Sequence, residues 1–169
     1  MLFPDKYTSS YFGELDLNAL ESWHEAEIEL HGRAVEIALT FMSEDRKTTR
    51  GALAKIDEFL DGFALKIKQI ESVLAKDYRS GRTVKQYIDF LTEEIDEEEI
   101  MEVMPNYEAD ASIEDNIFRH IHLLSAVFYP EAGENIFAIL DYSISKELTD
   151  ELLVARLKTD NSLDILIES

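Results

Sequence analysis

The sequence predicts an α+β domain. Its mostly antiparallel sheet is built from an N-terminal hairpin and C-terminal strands, with a central block of helices packed on it. Three observations carry this reading. Residues 25–41 alternate polar and apolar with a period of two. Residues 53–74 place apolar side chains three and four apart. Residues 135–169 return to short, β-rich apolar runs. Glycine and proline are few, and neither a low-complexity linker nor an internal repeat interrupts the chain. Residues 1–169 therefore read as a single α+β domain, large enough to bury a core without metals or disulfides.

The stretch YFGELDLNAL has the aromatic and aliphatic residues of a first strand. In ESWHEAEIELHGRAVEIALTF, Ala26, Ile28 and Leu30 alternate with Glu25, Glu27 and Glu29, and Val35, Ile37, Leu39 and Phe41 resume the period after His31-Gly32. A hairpin with one wet face follows. A two-residue loop at His31-Gly32 pairs Ile28 with Val35 and Ala26 with Ile37, and Gly32 supplies the positive φ that such a loop requires.

The periodicity then turns helical. Leu53, Ile56, Leu60, Phe63, Ile67, Ile70 and Leu74 predict one long amphipathic helix, roughly Lys47 to Tyr78, with Gly81 just past its end. Thr83, with Gln86 three residues on, reads as the capping box of a second helix, whose stripe is Val84, Tyr87, Ile88, Leu91 and Ile95. Continued at 100° per residue, that stripe would fall on Glu98, Glu99 and Glu102, whereas the apolar residues are Ile100, Val103 and Met104. A break near Asp96 removes the conflict. Asp96 then caps a short helix, Glu97 and Glu98 sit in its first turn, Glu99 completes a capping box, and Pro105 limits it. The acidic run, seven of the ten residues from Glu93 to Glu102, is on this reading a helix start beside a helix end.

Ser112 caps a further helix with Ile113, Ile117, Ile121 and Leu124 as its stripe, although LLSAVFYP also reads as a strand. NIFAILDYSIS is apolar on both faces, as in a central strand. LLVARLKT and SLDILIES, separated by Asp160-Asn161, read as a terminal hairpin.

Charge narrows the functional classes. Thirty-six acidic residues against sixteen basic ones give a formal net charge of -20. Phosphates must be met by clustered Lys and Arg, so nucleic acid is not expected as a partner, nor is an anionic membrane surface. A basic protein fits better. The absence of cysteine removes thiolate chemistry and disulfides. The start, MLFPDKYTSS, lacks the pattern of a signal peptide, and no stretch approaches the ~20 apolar residues needed to span a bilayer. A cytoplasmic protein is expected.

Candidate chemistry is sparse. Glu21-Ser22-Trp23-His24 has the E-x-x-H spacing of di-iron sites, which need two such motifs on packed helices. His120 and His122 share a face only on a strand, and a metal there would need a carboxylate from elsewhere. The acidic run lacks the spacing of a calcium loop, leaving only a loose divalent site on Glu94, Asp96 and Glu98 as an option. No phosphate-binding, dinucleotide-binding or nucleophile-elbow motif occurs, and no cofactor is implied. Trp23, the sole tryptophan, reads as a core or rim residue and, with Asp96, Glu97 and Glu98, as a candidate partner contact.

The segments YFGELDLNAL, AEIELHGRAVEIAL, TVKQYIDFLTEE and NIFAILDYSISKELTDELLVARL together resemble a bacterial family catalogued as a domain of unknown function, number two thousand and four. The resemblance covers most of the chain and rests on structural segments. It implies no activity, cofactor or catalytic residue. The overall look is similar to that of small immunity and interaction proteins. Sequence therefore points to a non-enzymatic protein-binding domain, immunity-like toward a basic protein in one form. The alternative is a metal-dependent enzyme or ligand-binding domain using the His120/His122 region.

Overall fold

Strands, helices and strands follow one another in the predicted order. The computed structural model describes residues 5–131, 133 and 135–169. β1 (Lys6–Ser9) and β2 (Gly13–Asp16) form a separate two-stranded antiparallel hairpin. The strand expected within YFGELDLNAL is thus β2 alone, and it pairs with KYTS rather than with the main sheet. Leu15 buries its side chain, and polar bonds fasten the hairpin to the first helix. Tyr7 Oη and Ser9 Oγ donate to the Asp57 carboxylate at 2.7 and 2.6 Å, and Tyr11 Oη donates to Asp61 at 2.7 Å. Burial first, and the neighbouring carboxylates second, push the Tyr7 and Tyr11 phenols up to about 12.

β3 (Trp23–Leu30) and β4 (Arg33–Thr40) form the hairpin read from the alternation, with Ile28 opposite Val35 and Ala26 opposite Ile37. Both loop residues, His31 and Gly32, have positive φ (50° and 79°), the backbone of a two-residue hairpin loop whose twist matches its strands.

The predicted long helix is two helices. α1 (Arg50–Asp61) and α2 (Phe63–Arg79) are separated by Gly62, whose φ and ψ of -102° and 26° leave the helical basin for one residue. The apolar stripe crosses the break without losing phase, and every one of its members is buried. Thr49 caps α1, its Oγ1 accepting from Ala52 N at 3.1 Å.

α3 (Thr83–Glu94) begins one residue earlier than expected. Arg82 holds the N-cap position and Thr83 is the first helical residue, so the predicted Thr83–Gln86 box does not form. Asp77, at the end of α2, takes over the role by accepting from Val84 N at 2.7 Å. The break near Asp96 is present. α4 (Glu97–Glu102) starts after Asp96, which has extended φ and ψ (-60° and 138°), and Ile100 and Met104 are buried while Glu97, Glu98 and Glu99 stay exposed. The Asp96 side chain makes no capping bond, however, and no reciprocal bond from Glu99 occurs among the described residues. Only the backbone part of that expectation holds.

α5 (Ile113–His120) is capped by Ser112 Oγ, which accepts from Asp115 N at 3.1 Å, and it stops at Ile121. Ile121 and Leu124 therefore leave the predicted helical stripe. β5 (His122–Phe128) takes over immediately, followed by β6 (Ile136–Ser143), β7 (Leu152–Lys158) and β8 (Leu163–Glu168). The six main strands lie in chain order from β3 to β8. All neighbours are antiparallel except β4 and β5, which run parallel because the whole helical block intervenes between them. β6 sits inside the sheet, as its two-sided apolarity required.

One cluster of buried side chains joins the five helices to one face of the sheet. Ile37, Ala126, Leu140 and Ala155 form a row across that face, with Phe59 from α1 set edge-on against Phe128 and Phe137. Among the described residues, no helix is long and apolar enough to cross a membrane.

Candidate partner-binding surface

The opposite face of the sheet carries the distinctive chemistry. Alternation along β3 sends Glu25, Glu27 and Glu29 to that face, all exposed, with Glu36 opposite Glu27 on β4. Trp23 opens the same row. It is 48% exposed, and its indole Nε1 donates to Glu25 Oε2 at 3.0 Å, as side chains two apart on a strand can. Next to this acidic edge, register places Ala38, Val127 and Ile139 side by side on β4, β5 and β6, with Val154 and Leu166 beyond them on β7 and β8. Ala38 and Val154 are themselves buried, so the half-buried Val127, Ile139 and Leu166, none of them packed against the main core cluster, supply the apolar surface of this face. The result is an apolar strip flanked by carboxylates.

Polar groups within the strip are partly desolvated. Burial pushes the Asp141 carboxyl up, against the opposing effect of Ser125 Oγ, which donates to it at 3.3 Å. Burial, with Asp141 second, pushes the nearby Tyr129 phenol up. Arg156 stands beside them with its Nε buried and without a partner among the described residues, and its guanidinium lies 3.8 Å from Glu168. Lys158 and Asp164 pair at 3.0 Å.

The candidate contacts read from the sequence are not brought together. Trp23 lies on the edge strand β3. Asp96, Glu97 and Glu98 lie at the α3–α4 junction in the helical layer, and α3 packs on α2, α5 and β8, the opposite edge of the sheet. The glutamates of β3 form the wet half of the hairpin that the alternation predicts. Their row matters because the neighbouring strands add an apolar strip beside it, and strand order was not legible.

The histidines are dispersed. His24 is the second residue of β3 and pairs with Leu39, with Nε2 buried and unpartnered among the described residues, and Glu21 precedes the strand, so the E-x-x-H spacing falls on no helix. His120 ends α5 with Nδ1 2.6 Å from Asn116 O, and His122 begins β5 with Nδ1 2.9 Å from His120 O. Desolvation holds the His122 imidazole below its usual range. Among the described residues, no three His, Asp or Glu side chains converge as a metal site would need. No known family, curated protein or solved structure matches the chain.

Proposed function

We propose that this chain is a non-enzymatic, cytoplasmic protein-binding domain that docks a basic protein on the open face of its sheet. The observation that supports this reading is the pairing of an acidic row, Glu25, Glu27, Glu29 and Glu36, with the half-buried apolar side chains of Val127, Ile139 and Leu166 on the same face. An apolar centre with a charged rim is the anatomy of a protein interface. Carboxylates in that rim steer a cationic partner and reject anionic ones. Trp23, half-exposed at the margin, offers the type of side chain enriched in binding hot spots. Immunity-like neutralisation of a basic toxin is one form of this activity. The resemblance to a bacterial domain of unknown function is compatible with it and adds no chemistry.

The test compares three chains as baits in lysate of the native host: wild type, the Glu25→Gln/Glu27→Gln/Glu29→Gln variant, and the Asp96→Asn/Glu97→Gln/Glu98→Gln variant. A basic protein retained by the first and third and lost by the second supports the reading. Its association rate should fall several-fold as salt rises to physiological strength, where the Debye length is ~8 Å. No captured protein, or one held equally by all three, would contradict it.

A further inference from the structure

β3 is an edge of the six-stranded sheet, and its outer side is bare. β4 is its one strand neighbour, and no backbone group of residues 23–30 bonds outside that hairpin among the described residues. The two-residue loop makes Leu30 and Arg33 a hydrogen-bonded pair, so Leu30, Ile28, Ala26 and His24 turn their N–H and C=O groups toward β4. Glu25, Glu27 and Glu29 turn theirs away from it. Natural sheets blunt such an edge with a short strand, a lysine, a proline or a bulge. β3 has eight residues, WHEAEIEL, with neither lysine nor proline, and its register with β4 runs unbroken. β8, the other edge, is shorter and has α3 packed against it.

We propose that the outer edge of β3 takes up an extended segment of the basic partner as an additional strand, with Lys or Arg at alternate positions and apolar residues between them. The inference rests on the docking reading above and names its mode. The residues whose backbone groups are free also carry the carboxylates. Main-chain bonds therefore supply affinity, and cross-strand charge pairs supply choice of partner. On the opposite face Ala26 and Ile28 are half-buried at the rim of the core, and apolar side chains of the incoming strand extend that layer. The same geometry disfavours a second copy of this chain. Antiparallel pairing of β3 with β3 sets free-edge residues opposite one another, glutamate against glutamate. An acidic segment meets the same repulsion, and a segment without alternation cannot send its charges to one face.

The experiment titrates the full-length ¹⁵N-labelled chain with a capped peptide of sequence TKVKVKVT and with TKKKVVVT, which has the same composition without the alternation. TKVKVKVT should shift the amides of residues 23–30 saturably, and TKKKVVVT should bind at least tenfold more weakly. Two further versions of TKVKVKVT carry backbone N-methyl groups on every lysine or on every valine. In a paired strand one of these sets of N–H groups faces β3 and the other faces solvent, so the affinities of the two versions should differ at least tenfold. Glu27→Pro removes an N–H that faces away from β4, a position where an edge strand tolerates the ring. It should weaken TKVKVKVT at least tenfold relative to Glu27→Thr, which removes the same carboxylate and keeps the N–H. Equal affinity for the two methylated peptides, equal affinity of the two Glu27 variants, or absence of saturable shifts with TKVKVKVT would overturn edge pairing. None of these results would touch the open-face docking reading, which stands or fails on the bait comparison and needs no free strand edge.

Discussion

Carboxylates and hydroxyls at chain reversals decide where helices begin in this protein, and they do so unequally. Thr49 and Ser112 each accept a backbone N–H at 3.1 Å in the first turn of α1 and α5. Asp96 occupies the same backbone position before α4 but its side chain bonds nothing there. Replacing Thr49 or Ser112 with Ala should each lower the unfolding free energy by ~1 kcal/mol. Asp96→Ala should cost only about 0.3 kcal/mol, since a screened interaction with the dipole of a one-and-a-half-turn helix is all that is lost. Urea denaturation of the three variants checks the ranking, and an Asp96 cost equal to the other two would show a cap bond forming in solution. The sequence signals a helix start at each of these sites. It does not signal which side chain closes the bond, because that depends on a rotamer and, for α3, on Asp77 arriving from the preceding helix.

Elements were legible where one face had to be buried. The period of two in residues 25–41 determines register as well as strand, because a one-residue slip would expose Ile28, Val35 and Ile37. The stripe from Leu53 to Leu74 determines the buried face through the break at Gly62, which it does not reveal, since a single non-helical residue leaves the phase intact. Strand order was illegible for a related reason. Alternation shows which side chains share a face, not which strand lies alongside, and the parallel β4–β5 pair joins residues separated by the whole helical block. The open-face strip inherits that blindness. One element-scale device also escaped the pattern. Asn116, fully buried on α5, ties the preceding loop down, accepting from Glu108 N at 2.7 Å and donating to Glu108 O and Ser112 O at 2.9 Å each. Asn116→Ala should cost about 2–3 kcal/mol by leaving these groups unsatisfied. Asn116→Asp should cost more, because an acceptor-only carboxylate would face two carbonyls. Chemical denaturation distinguishes the two, and a cost below 1 kcal/mol for the alanine would show that water replaces the amide without loss.

For the whole molecule, a net charge of -20 on a chain of this length bears on stability and underlies the proposed choice of partner. Like charges repel in the compact state, and added salt screens them, so the melting temperature should rise by a few degrees between roughly 10 and 150 mM sodium chloride. A melting temperature that falls with salt would show that the ion pairs, all with at least one well-exposed partner, outweigh the repulsion. The proposed function draws on the same charge: a basic protein is the proposed occupant of the face that combines the acidic edge with half-buried Val127, Ile139 and Leu166. The most direct measurement of that claim follows the single indole Nε1–H resonance of Trp23 in the ¹⁵N-labelled chain while the unlabelled basic partner is added. Docking on the open face should shift or broaden that resonance together with the amides of Glu25, Val127 and Ile139. Saturable binding that leaves Trp23 unmoved and instead perturbs Asp96, Glu97 and Glu98 would contradict the account.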